Sequence, residues 1–456
     1  MALAFASCGD SGSNNTTETS QTKQASAIST SVSTSDTGAL TESTTEASTV
    51  ASTTQETTSS TEKHIKEYTP LNYEYMKGTW LYQYTENGLF RDGRNGQRDI
   101  EEYTERVTKI VTNLERDVYN TIFLQVRPYG DSFYPSEYYC PSNFVTDGYD
   151  GEFEYDPLEI FIKLAHEHNI SIHAWLNPMR LMTSGSIDDV PDNYLVKQWY
   201  DNEEGLYVVK LKGRYYLNPS YEETRQLVID GAVEICEKYD IDGIHLDDYF
   251  YPEGVENSFD NEAYLEMAYP NNISRKQFRY NNVNALVKGL YDAVHGVDER
   301  LLFGISPAGN ISNNRGYLSA DVDTWCGKPG YIDYIAPQVY WSFDYSWDPA
   351  KFDICSESWA KLIKTDSVRL VLGIGLYRAV NPSYNETDPG WFEYKDNIKR
   401  MLEYGEQMDE CSGWILFSYE SMYNAVTGDY NNAIREEREN FMPVMKAEES
   451  VKIKYE

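Results

Sequence analysis

The stretch Tyr239-Asp-Ile-Asp-Gly-Ile-His-Leu-Asp-Asp-Tyr249 carries more chemistry than any other part of the chain. It has the form of a short buried strand that ends in polar groups packing does not require: His245, Asp247 and Asp248. Side chains alternate across a strand, so Ile244 and Leu246 share one face while His245, Asp247 and Tyr249 share the other. Two carboxyls this close suit acid/base work, because like charges push one pKa up and leave a protonated donor beside an ionised partner. The plainer role for an aspartate here is to cap the next helix or pair with an arginine. A cap occupies only one of the two, which leaves the other unexplained.

The same alternation can be applied to seven further apolar runs: Gly78–Tyr84, Thr121–Pro128, Ile170–Pro178, Leu301–Pro307, Tyr331–Trp341, Arg369–Tyr377 and Gly413–Glu420. The faces opposite their aliphatic residues carry Gln125 and Arg127, then His173, Trp175 and Asn177, then Ser306, Gln338 and Tyr340, Tyr377, and finally Ser418 and Glu420. So many polar groups at strand ends are costly to bury without a purpose, and their convergence points to a binding site. Glycosidases use two carboxyl groups, one neutral and one ionised. Asp247 and Asp248 are the candidates for one role, and Glu420, or Asp131, Glu253 or Asp344 on loops, for the other. A pair drawn from opposite strands of a ring would hold a water between them, the inverting geometry. Arg127, Asn177, His245, Gln338 and Tyr340 are read as contacts to sugar hydroxyl or acetamido groups. His245 serves equally well as a satisfied interior histidine.

Strand and helix signals alternate along the chain. Asp156-Pro157 is a cap followed by proline at the first helical position, opening Leu158–His168. Tyr221–Tyr239, Asn281–Val294 and Tyr394–Met408 also show helical spacing. Alternation over eight runs predicts an α/β fold, a (β/α)₈ TIM barrel, with titratable side chains at the C-terminal rim of the strands. A doubly wound sheet calls for a Gly-rich phosphate turn after the first strand, and Tyr82-Gln-Tyr-Thr-Glu86 is not one. The loops 129–151, 179–216 and 250–270 are long and aromatic, which suits sugar rings stacked above a polar floor.

The chain is acidic, 73 Asp+Glu against 39 Lys+Arg in 456 residues. Such a field repels phosphate backbones, so no nucleic-acid partner is expected. Its 39 tyrosines against 16 phenylalanines offer rings with polar tips. Residues 1–8 end in Leu3-Ala-Phe-Ala-Ser-Cys8, which resembles the end of a bacterial lipoprotein signal with Cys8 as the lipidated residue. Residues 9–65 are Ser/Thr-rich with few apolar residues, a tether that cannot form a core. The barrel is expected over 66–445 and a tail over 446–456. A domain anchored only through an N-terminal lipid would work outside the cytoplasm, in the cell envelope. The other five cysteines show no Cys-x-x-Cys, and no zinc signature or disulfide framework follows. No cofactor is indicated. A metal-dependent carbohydrate deacetylase would draw on His173, His245 and Asp247, and a glycan-binding barrel without catalysis is the other alternative.

Several motifs in order resemble the glycosyl-hydrolase-like family 10 proteins. They are Trp80, Leu124-Gln-Val-Arg-Pro-Tyr-Gly-Asp131, His173-Ala-Trp-Leu-Asn-Pro178, Asp242-Gly-Ile-His-Leu-Asp-Asp-Tyr-Phe-Tyr-Pro252, Ile305-Ser-Pro-Ala-Gly309, Ile335-Ala-Pro-Gln-Val-Tyr-Trp341 and Gly413-Trp-Ile-Leu-Phe-Ser418. The resemblance implies a glycosidase barrel, often in a lipoprotein, a polysaccharide substrate such as peptidoglycan glycan strands, and site roles for Asp131, Trp341 and the rim residues already named. The fourth-strand motif is also similar to Asp-Gly-x-Asp-x-Asp-x-Glu of chitinase-like glycoside hydrolase family 18. Here His245 stands at the second Asp, Asp247 keeps the third, and Tyr249 replaces the catalytic Glu.

Overall fold

Every one of the eight apolar runs folds as a strand of one sheet. They are β1 Met76–Leu81, β2 Thr121–Arg127, β3 Ser171–Leu176, β4 Gly243–Leu246, β5 Leu302–Ile305, β6 Tyr334–Ile335, β7 Arg369–Ile374 and β8 Cys411–Leu416. The computed structural model describes residues 67–455, apart from 84–87, 93–95, 184, 203–204, 381, 383–384, 425–426 and 448. The expectations for Cys8 and the tether lie outside the described residues. Each strand pairs in parallel with the next, and β8 pairs with β1, so the sheet closes on itself. The short strand Gln338–Val339 continues the path of β6 and pairs with Gly373–Ile374.

The helices that cover the barrel are α1 Ile100–Arg116, α2 Pro157–Glu167, α3 Glu222–Lys238, α4 Arg275–Val297, α5 Val322–Gly327, α6 Phe352–Ala360, α7 Asn397–Glu406 and α8 Arg435–Met445. The α2 start follows its sequence signal: Asp156 accepts from the amides of Leu158 at 3.0 Å and Glu159 at 3.2 Å. Among the described residues no helix is long and apolar enough to cross a membrane.

The barrel interior is mixed rather than aliphatic. Trp80, Phe123, Trp175, Tyr334, Val371 and Ile415 pack together there, and a polar chain runs through them. Tyr334 Oη lies 2.9 Å from His173 Nδ1 and 3.0 Å from His245 Nδ1. His173 Nε2 lies 3.0 Å from Asn72 Oδ1, and His245 Nε2 takes the Trp80 indole N–H at 3.1 Å. Indole only donates, so His245 Nε2 accepts and its proton sits on Nδ1; Tyr334 then donates onward to His173. One tautomer of each ring satisfies the whole chain. Glycine is needed at 304, where an added Cβ would collide with the Tyr334 ring that crosses the barrel.

The floor is sealed by both ends of the described chain. The buried Asp242 carboxylate accepts from Tyr68 Oη at 2.7 Å, the Leu71 amide at 2.5 Å and the Ile172 amide at 2.6 Å. Residues 451–455, read from sequence as tail, run alongside: Glu74 N–H donates to Val451 O, Ile453 N–H to Asn72 O, and Asn72 Nδ2 to Tyr455 Oη.

Candidate active site

At the opposite end the strands open into a crater with Asp247 at its base. Asp247 Oδ1 accepts the Asp248 amide at 2.8 Å and Gln338 Nε2 at 3.1 Å. Gln338 Nε2 is itself fixed by Ser306 O at 3.0 Å. The Asp247 and Asp248 carboxyls hydrogen-bond to each other. Burial raises Asp247 above the usual carboxylate range, opposed by the Asp248 amide and carboxyl, by Arg180 and by Gln338. Burial raises Asp248 well above it, and the Asp247 charge beside it adds to the shift. Both carboxyls are thus shifted toward their protonated forms, Asp248 the further of the two. Asp247 is buried while Asp248 stays partly open to the crater.

Aromatic side chains wall this base on two sides. Tyr340, Tyr377 and Phe417 meet at centroid distances of 5.7 to 6.0 Å, and Tyr82 lies against Phe417 at 6.2 Å. Across from them stand Tyr249 and Tyr129 with Arg180, whose guanidinium lies 4.5 Å and 5.1 Å from the two ring centroids. Arg180 escaped the sequence reading. It sits two residues beyond the Asn177-Pro178 turn, on a strand Arg180–Thr183 that forms a small antiparallel sheet with Val208–Leu211 and Arg214–Leu217. A cation right after a strand end that already carried an amide was the available signal.

Other expected site residues lie elsewhere, for physical reasons. Arg127, 1% exposed, packs 4.7 Å from the Tyr139 ring centroid and donates to Pro178 O at 3.1 Å. The β2–β3 register shifts between Gln125 and Arg127, and such a bulge breaks the alternation that had placed Arg127 in the crater. Asp131 is buried within its own loop, accepting the Tyr129 amide at 3.2 Å. His173 and His245 belong to the interior chain and are 0% exposed, so neither meets a ligand at the rim. Asn177 spends its amide on Trp175 Nε1 at 3.1 Å and Pro128 O at 2.9 Å, so it positions Trp175. Trp341 is buried against Tyr345. The deacetylase reading loses its ligands in the same way, since both histidines are engaged; among the described residues no three His, Cys, Asp or Glu side chains converge.

Glu420 lies past the end of its strand. The chain leaves strand geometry after Leu416 and enters a helical turn, Tyr419–Met422, with Ser418 as its cap, so counting by twos fails beyond Phe417. Glu420 lines a cleft with Leu81, Tyr82, Arg106, Lys109 and Tyr419. Burial pushes it up to about 8, against hydrogen bonds from its own amide, Ser418 and Tyr82. A carboxyl whose pKa is raised on folding favours the folded state at low pH, and that advantage is lost as pH rises from the ordinary value toward 8. Glu420→Gln is thus expected to leave turnover nearly unchanged and to stabilise the protein by about 2 kcal/mol at pH 8, discounted for partial exposure, but not at pH 4. Thermal melts at both pH values test this.

The comparisons with known proteins bear on the family and the barrel. The model of the family described as Glycosyl hydrolase-like 10 matches residues 75–393. The chain is 29% identical over 341 residues to the glycosyl hydrolase YngK of Bacillus subtilis, covering 71% of this chain and 64% of that protein. It thus spans less than two thirds of that relative's length. To the glycosyl hydrolase DigH of Escherichia coli K12 it is 30% identical over 331 residues, 67% of this chain and 73% of that one. Among solved structures, the PgaB (BpsB) glycoside hydrolase domain from Bordetella bronchiseptica superposes with a TM-score of 0.54 at 9% identity, over 82% of this chain and all of that one. At that identity the likeness speaks for the barrel alone. With the family model matching residues 75–393, most of a closed (β/α)₈ ring, this chain belongs to the glycosyl hydrolase-like family 10.

Proposed function

We propose that the chain is a glycoside hydrolase acting on an extracytoplasmic polysaccharide, in the first place the glycan strands of peptidoglycan, with Asp248 as general acid. The observation that carries this reading is the Asp247–Asp248 pair: two carboxyls side by side, the one open to the crater shifted further toward its protonated form, the other held by Gln338 beside the Arg180 charge. The tyrosine walls supply apolar faces for sugar rings. The names of the curated relatives, glycosyl hydrolases of Bacillus and Escherichia, support the reaction class.

Carboxyls in hydrogen-bond contact are nearer than the roughly 5–5.5 Å of a nucleophile pair or the roughly 6.5–9.5 Å that admits a water. The inverting geometry expected from Glu420 is therefore not the one we propose. Asp248 gives its proton to the leaving glycosidic oxygen as the C–O bond breaks. The oxygen of the substrate's own 2-acetamido group closes on the anomeric carbon while Asp247 accepts its N–H. Water then opens that ring and returns a proton to Asp248. This calls for an N-acetylated sugar at the cleaved bond, a feature of both peptidoglycan sugars. The position of Cys8 supports an anchor at the membrane surface, which would keep the domain beside that polymer.

The test is to incubate the full chain with intact and peptide-stripped peptidoglycan and with chemically de-N-acetylated strands. Soluble saccharides from the first two, none from the third, and none from Asp248→Asn on any, are the expected outcome. Equal cleavage of de-N-acetylated strands would remove the acetamido step. Binding of strands without release of any product would favour a glycan-binding barrel.

A further inference from the structure

A hydrogen-bonded chain runs the length of the barrel and ends on the catalytic pair. It starts at the floor, where Tyr455 meets Asn72 at 3.1 Å and Asn72 meets His173 at 3.0 Å. From His173 it passes through the Tyr334 hydroxyl to His245, in steps of 2.9 Å and 3.0 Å. The Trp80 indole makes His245 Nε2 an acceptor, so the Ser306 hydroxyl, 3.0 Å from that nitrogen, donates to it. The Ser306 carbonyl accepts Gln338 Nε2 at 3.0 Å, and the same amide nitrogen donates to Asp247 Oδ1 at 3.1 Å. A side-chain amide has two N–H donors, and both are engaged here. Turning the Gln338 amide over would set its oxygen against two acceptors, so it has one allowed pose.

Asn72, His173, Tyr334, His245 and Ser306 are each 1% exposed or less. Branched aliphatics normally fill this space, and a buried polar chain is unfavourable unless every member is satisfied. Fold specificity accounts for a polar core in general, but not for one whose upper end grips Asp247. We propose that His245 and Tyr334 are positioning residues for the catalytic pair, orienting the Asp247 carboxylate from inside the barrel through Ser306 and Gln338. Neither touches substrate. Hydrogen bonds to a carboxylate favour its charged form, and Gln338 acts on Asp247 in that sense. A slack Gln338 therefore leaves Asp247 with a higher pKa and less charge. Asp248, whose shift draws partly on that charge, then gives up its proton at lower pH. This role builds on the reading of the pair as catalytic.

Three variants of the full chain test it. Tyr334→Phe deletes one hydroxyl and keeps the ring, His245→Leu cuts the chain, and His245→Gln can restore its polar contacts. On peptide-stripped strands, Tyr334→Phe and His245→Leu are expected to lower kcat at least about ten-fold with little change in KM, as misplaced catalytic groups do. Their alkaline limbs should move to lower pH, and His245→Gln should recover part of both effects. The Asp247 carboxyl, followed by carbon-13 NMR and assigned with Asp247→Asn, should titrate at higher pH in the first two variants. That readout needs no turnover. Lower melting temperatures with kcat, pH profile and carboxyl titration all unmoved would overturn the proposal. If His245→Leu fails to fold, Tyr334→Phe decides. A shifted Asp247 titration in a protein that cleaves no glycan would keep the positioning role and sink the hydrolase; wild-type cleavage with the titration unmoved would do the reverse.

Discussion

Asp248→Asn is expected to lower glycan hydrolysis by roughly three orders of magnitude, the usual worth of a positioned proton donor. Asparagine preserves shape and still donates to Asp247, so binding should persist while bond cleavage stops. The pH dependence has a definite sign. Asp248 works as an acid only while protonated, so the rate falls as pH rises through its raised pKa. Burial is the first cause of that shift and the Asp247 charge the second. Asp247→Asn removes the second cause only. Its alkaline limb should therefore move to lower pH, with a smaller rate loss, about two orders of magnitude, from the lost orientation. Profiles of kcat/KM against pH for the three proteins check both statements. Unchanged turnover by Asp248→Asn would place the acid elsewhere in the crater.

The second large effect concerns acid stability. Burial pulls His173 down to about 3 and His245 well below its ordinary value. An unfolded chain takes up protons at these side chains near pH 6.5 while the folded one refuses them. Stability is therefore complete above about pH 6.5 and declines as pH falls from there toward 3. For His173 the loss reaches about 3 kcal/mol at pH 4, since each pKa unit is worth about 1.36 kcal/mol. Denaturant unfolding at pH 7 and pH 4 measures it. A variant carrying His173→Gln, weaker at pH 7 for want of the Tyr334 hydrogen bond, should show a smaller drop between the two conditions. An equal drop would mean that other groups govern the acid limb.

The barrel was legible in the sequence because eight runs of branched and aromatic residues were spaced by helix signals such as Asp156-Pro157. Parallel strands buried on both sides declare themselves that way. The carboxyl pair was legible too, since nothing else explains adjacent aspartates at a strand end. Depth along a strand was not. Alternation says which face His173 and His245 occupy, not how far below the rim they lie, and that depth separates a ligand contact from a packed interior. Arg127 was misplaced by a one-residue bulge and Glu420 by a change from strand to helical turn. Arg180 and Arg214 reach the same Tyr129 ring from two short strands that pair across 30 intervening residues, a tertiary fact that local periodicity does not record.

The seam on the barrel floor has a consequence for how the molecule can be shortened. Asn72 links three things at once: the strand start at Asp242, the last tyrosine of the chain, and the ring of His173. Clipping the final residues would therefore unlock a side chain whose other end holds the central axis in register. The C-terminus behaves as a latch, and any fusion or trim made there would be transmitted inward to the tautomers.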